Sequence, residues 1–157
     1  MLFGLVTSCN DFYKGSTDGD LSRIPLIEPY ELIKIKGFEE IDLPTKSWFL
    51  NFYYAGDTTI HKGSRQKPVD EINVEKGVIY SHCFKFSRDK ESYAAIIPSE
   101  KAETVFSSKE QWEDYLKSKG IAKPKLYVVG EIWTTFKKEG TTPWYDPANG
   151  IYPVKRN

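Results

Sequence analysis

Asp70-Glu71-Ile72-Asn73-Val74-Glu75-Lys76-Gly77-Val78-Ile79-Tyr80-Ser81-His82-Cys83-Phe84-Lys85-Phe86 decides the fold class, because two β-rich runs flank a short Glu-Lys-Gly link. That pattern reads as an antiparallel hairpin. Two registers satisfy it. A two-residue loop sets Val74 opposite Ile79 and Asn73 opposite Tyr80. A three-residue loop, a type I turn with a glycine bulge, sets Val74 opposite Val78 and Ile72 opposite Tyr80. The longer loop gathers Ile72, Val74, Val78, Tyr80, Phe84 and Phe86 on one face. Slipping by one residue would turn that set to the other side, so the three-residue register is the expected one.

The expected register has a chemical consequence. It places His82 on the apolar face with Asp70 opposite, a buried polar pair in which a carboxylate satisfies an imidazole. The same pair has the form of an oriented general base. However, strand alternation sends the neighbouring nucleophiles Ser81 and Cys83 to the opposite face from His82. The pair therefore reads as structural, and Cys83 as a small, partly buried hydrophobe.

Working towards the N-terminus, Ser47 to Tyr54 (SWFLNFYY) is the strongest strand signal. Trp48, Leu50, Phe52 and Tyr54 share one face, and Phe49, Asn51 and Tyr53 the other. A central strand covered on both sides explains the double aromatic pattern. A recognition surface built on Phe49 and Tyr53 explains it too, since aromatics give contact area at little entropic cost. Ala55-Gly56-Asp57 reads as a hairpin turn, with Thr58 to Lys62 returning antiparallel. His61, Lys62, Arg65 and Lys67 then form a basic loop without an acid, a candidate contact for an anion or an acidic partner. Tyr30 to Lys36 reads as a strand, and Leu21 to Ile27 as an edge strand or an extended arm because Pro25 lacks a ladder donor. Gly37 to Lys46 reads as a loop.

Towards the C-terminus, Tyr93 to Pro98 and Ala102 to Phe106 read as strands. Ser107-Ser108-Lys109-Glu110-Gln111 offers a capping box in either of two registers. Trp112, Tyr115 and Leu116 follow at helical spacing, and Gly120 supplies the stop, so a helix is expected over 108–119. Leu126 to Val129 reads as one more strand. Glu131 to Lys138 has strand-favouring residues, but its Ile132, Trp133 and Phe136 stripe selects a short helix. The Pro-rich end contains Trp144 and Tyr145, which either plug the core or stay exposed to hold a ligand.

The resulting expectation is an α+β fold. It comprises an antiparallel sheet of about six to eight strands, a long helix over about 108–119 on one face and a second short helix over about 131–138. A single globular domain is expected over 21–157. The 22 Lys and Arg balance the 22 Asp and Glu, so no overall field draws the protein to nucleic acid. No Gly-rich phosphate loop, His-Glu-x-x-His, Gly-x-Ser-x-Gly or Cys-x-x-Cys occurs. No catalytic residue, cofactor or metal site is therefore expected. With two histidines and two cysteines, a zinc site would have to draw on carboxylates.

The start of the chain supplies an address. Val6-Thr7-Ser8-Cys9 resembles the bacterial lipobox, in which an aliphatic residue and two small ones precede a cysteine that is acylated and becomes the mature N-terminus. Residues 1–9 would be the remnant of a signal peptide, although Met1 to Val6 has no Lys or Arg and is short for one. The Gly-, Ser- and Asp-rich residues 10–20 would be a flexible tether. The resemblance implies lipid on Cys9, membrane attachment and a place in the cell envelope on the periplasmic or surface side. Were Cys9 not lipidated, a Cys9–Cys83 bridge would be open to it. The sheet-rich first half, the Val105-Phe106-Ser107-Ser108 helix start and Trp144-Tyr145 resemble small bacterial immunity proteins that bind and neutralise interbacterial toxins. That likeness carries over no site residue. The expected function is a lipid-anchored, non-catalytic binding protein. The alternatives are an immunity protein with a toxin as its partner, and a hydrolase using His82 or an acid pair.

Overall fold

A computed structural model describes residues 21–27, 30–35, 48–52, 68–83 and 91–145. It is α+β, with two antiparallel sheets and two helices among the described residues. The first sheet has the order β1 (Leu21–Pro25), β2 (Tyr30–Ile35), β3 (Trp48–Phe52), β4 (Pro68–Val69). The second runs β8 (Ala102–Phe106), β7 (Ser92–Ile97), β6 (Val78–Cys83), β5 (Glu71–Glu75), β9 (Tyr127–Val128). The single larger sheet expected from the sequence is thus divided. The division falls at Asp70, the one residue between β4 and β5, where the chain leaves one sheet and enters the other. Backbone bonds fix this corner: the Asp70 amide donates to the His82 carbonyl at 3.1 Å, and the Asp70 carbonyl accepts from the Val129 amide at 2.8 Å.

The β5–β6 hairpin takes the shorter loop. Asn73 pairs with Tyr80, Val74 with Ile79 and Glu75 with Val78, leaving Lys76 and Gly77 as the turn. Both have positive φ, 51° and 76°, the conformation of a type I′ turn, whose twist matches that of the strands it joins. The three-residue register rested on assembling one apolar face. That criterion fails here because every residue of β6 is buried, so the strand needs apolar side chains on both faces. Phe84 and Phe86, which the longer loop would have recruited, lie outside the described residues.

The observed register deals the side chains into two cores. Ile72, Val74, Ile79, Cys83 and Ile96 face the first sheet, where Ile24, Leu32, Trp48, Leu50 and Val69 meet them. Helix α2 (Val129–Glu139) adds Val129, Ile132 and Phe136 to the same cluster. Its Trp133 ring lies 5.2 Å from that of Trp48. On the other face, Val78, Tyr80, Ala95 and Ile97 pack against Trp112, Leu116 and Ile121. Helix α1 (Lys109–Ser118) therefore covers the side of the second sheet away from the first. The order of layers is sheet, sheet, helix.

Sequence chemistry explains the helix ends. Ser108 is the N-cap of α1, its hydroxyl accepting from the Gln111 amide at 3.5 Å, so the second of the two capping registers is used. At the other end Gly120 has φ of 85°. Its amide donates to Lys117 and that of Ile121 to Leu116, the paired bonds of a Schellman motif. Leu116 and Ile121 share the core beneath it. The helix is shorter than the expected 108–119 because its flanking residues serve as caps. Helix α2 is longer than the expected 131–138, starting directly from β9 and stopping at Gly140, whose φ is 69°. Pro25 closes edge strand β1, where a missing amide costs no ladder bond.

Candidate functional site

The corrected register changes the neighbours of His82. Glu71, not Asp70, stands opposite it on β5, and Tyr93 stands opposite on β7. His82 Nδ1 lies 3.2 Å from Glu71 Oε2, and Nε2 lies 2.7 Å from Glu91 Oε1. The imidazole stacks on the Tyr93 ring at a centroid distance of 4.9 Å, and the Tyr93 hydroxyl donates to the same Glu91 oxygen at 2.9 Å. Tyr93 in turn packs on Trp112, whose indole N–H donates to the Ala94 carbonyl at 3.1 Å. His82 therefore joins three strands at one end of the second sheet and leans on the α1 layer.

Its electrostatics follow from that arrangement. The Glu91 carboxyl sits below its ordinary range because the Tyr93 hydroxyl, then His82, bonds to its charged form. Burial pushes the Tyr93 phenol up to about 12, helped by the bond to Glu91. Burial and the nearby Glu75 carboxylate do the same to Tyr80, also to about 12. His82 is only 9% exposed, and each ring nitrogen faces a carboxylate. Ser81 and Cys83 project to the opposite face, as strand alternation requires, and Cys83 lies in the inter-sheet core. The geometry fixes a ring in place; it brings neither of those nucleophiles to it.

A second feature lies beside α2. A cleft of about 330 Å³ is lined by Tyr127, Glu131, Ile132, Thr135, Thr141, Thr142 and Pro143. Its lining mixes apolar surface with three threonines and one carboxylate, the composition usual for small-ligand pockets. Among the described residues, no three His, Cys, Asp or Glu side chains are placed to hold a metal ion. No described helix is long and apolar enough to cross a membrane.

The sequence-derived candidates are distributed unevenly. Trp144 is buried at 6% exposure and its indole N–H donates to the Pro25 carbonyl at 3.1 Å, so it is the plug and not a surface anchor. Tyr145 is half-buried beside it. Phe49 is half-buried on β3, on the face opposite Trp48 and Leu50, where it pairs with Ile33 and Pro68. Cys9, Tyr53, His61, Lys62, Arg65 and Lys67 lie outside the described residues, as do the hairpin expected at 55–57 and the return strand 58–62. Glu71, Glu91 and Tyr93 were missed as partners of His82. The two-residue loop, had it been preferred, would have placed Glu71 there. Comparison with family models, with curated proteins and with solved structures finds no match for the chain.

Proposed function

We propose that this is a non-catalytic binding protein of the bacterial cell envelope, held at the membrane through lipid on Cys9. The observation that carries the reading is Val6-Thr7-Ser8-Cys9, followed by residues 10–20 and then by strand β1 at Leu21. Eleven residues reach roughly 35 Å when extended, enough to let a domain work clear of a bilayer. The setting of His82 supports a binding role over a hydrolytic one, since both ring nitrogens already meet carboxylates. The cleft beside α2 is a described surface that suits a ligand, because it combines apolar area with hydroxyls and the Glu131 carboxylate.

Labelling with radioactive palmitate and membrane fractionation test the placement. The wild-type chain in its own host is expected to incorporate label and sediment with membranes, and Cys9→Ala to lose both. An unlabelled wild-type protein in the soluble fraction would overturn the proposal.

A further inference from the structure

From Tyr115 to Gly130 the chain carries Lys117, Lys119, Lys123 and Lys125 and no Asp or Glu, in a protein whose charges cancel overall. The fold brings these residues to one place. The Schellman turn at Gly120 sends Ile121 into the core and leaves Lys117, Lys123 and Lys125 exposed around it. Lys76, from the β5–β6 turn, joins them by donating to the Gly120 carbonyl. Asn73 holds the far end of the segment by donating to the Lys125 carbonyl at 2.9 Å.

Two tyrosines complete the surface. The Lys125 ammonium lies 4.5 Å from the Tyr127 ring centre and that of Lys119 lies 5.6 Å from Tyr115. Val128, 45% exposed, follows directly. The acids in reach are engaged elsewhere or weakly: Glu100 meets Lys119 at 3.7 Å, Glu75 accepts from the Tyr80 hydroxyl, and Glu113 faces Lys109. Asp114 lies one residue before the segment.

We propose that this lysine and tyrosine surface docks on an anionic lipid headgroup layer, giving the domain a second membrane contact beside the lipid on Cys9. A single chain-anchored attachment leaves orientation free, and a polybasic patch is the usual second signal. The composition favours lipid over an acidic protein. All the charges are lysines, hydrated point charges on flexible stems that suit a fluid layer. Protein interfaces are depleted in Lys and enriched in Arg, which this segment lacks. Tyrosine is a residue of the headgroup level.

The proposal extends the membrane placement read from Cys9, so it is tested on the full chain carrying Cys9→Ser and free of lipid. The protein is co-sedimented with vesicles of phosphatidylcholine alone, or with about 30% phosphatidylglycerol, at low and high salt. Binding to the anionic vesicles is expected, falling with salt as screening predicts. Replacing Lys117, Lys119, Lys123 and Lys125 by Gln is expected to weaken it at least about tenfold. Replacing Lys137 and Lys138, at the far end of α2, should change it less than about twofold. Thermal melting shows that each variant is folded. Equal binding to neutral vesicles, or no loss in the fourfold variant, overturns the proposal. So does binding to poly-glutamate with none to anionic vesicles, which would assign the patch to an acidic protein. Vesicle binding without palmitate on Cys9 in cells would remove the anchor and leave the patch.

Discussion

Asn73 stands directly across the β5–β6 hairpin from Tyr80, and its side-chain amide donates to the Tyr80 hydroxyl at 2.9 Å. The same nitrogen donates to the Lys125 carbonyl, while Asn73 Oδ1 accepts from the Val74 amide at 2.7 Å. One buried amide thus ties the hairpin to the segment that follows α1. Asn73→Ala removes all three bonds, leaving the buried Tyr80 hydroxyl and the part-buried Lys125 carbonyl short of a donor and the Val74 amide short of an acceptor, at a cost of about 1–3 kcal/mol. Tyr80→Phe keeps the ring in its place against Trp112 and should cost about 1 kcal/mol. Urea denaturation of both single variants and the double variant measures the coupling; strict additivity would contradict the geometry.

The N-cap of α1 distinguishes the two serines that precede it. Ser108→Ala should destabilise by about 1 kcal/mol, whereas Ser107→Ala should have a several-fold smaller effect. Chemical denaturation monitored by tryptophan fluorescence reads both. Equal losses would place the cap elsewhere.

The Pro25–Trp144 contact closes the first core from a distance in sequence of 119 residues. Trp144→Ala should cost about 3–5 kcal/mol, as expected for emptying a buried aromatic site. Trp144→Phe, which keeps most of the volume but orphans the Pro25 carbonyl, should cost less. A thermal melt unchanged by Trp144→Ala would show the side chain is no plug.

Glu91 gives the protein a specific response to acid. Its folded pKa lies below the ordinary value because Tyr93, then His82, bonds to the carboxylate. A depressed folded pKa contributes stability above the unfolded value that is lost as pH falls through the folded one. Glu91→Gln should therefore lower Tm at about pH 7, with the difference from the wild type shrinking as pH falls below the ordinary glutamate range. A Tm difference that stays constant over that fall in pH would contradict the assignment.

The sequence was most readable where local chemistry acts alone. Ser108, Gly120 and the Trp112–Leu116 spacing define α1, and the Ile132–Trp133–Phe136 stripe identifies α2 against its strand-favouring composition. The turn at Lys76-Gly77 was misread because two-sided burial of β6 is a property of the layers, which no single strand reveals. The division into two sheets at Asp70 was hidden for a similar reason. The corner at Asp70 is fixed by backbone bonds to His82 and to a residue as distant as Val129, which the local run from Val69 to Glu71 does not reveal. The His82 site inherited the register error, exchanging Asp70 for Glu71, while Glu91 carried no mark within its polar segment.

The most direct measurement is mass spectrometry of the protein purified from membranes of its own host. The expected N-terminal peptide begins at Cys9 and carries the mass of its attached acyl chains. A peptide that contains Cys9 without lipid, recovered from the soluble fraction, would contradict the proposed anchoring and with it the assignment of this domain to the cell envelope.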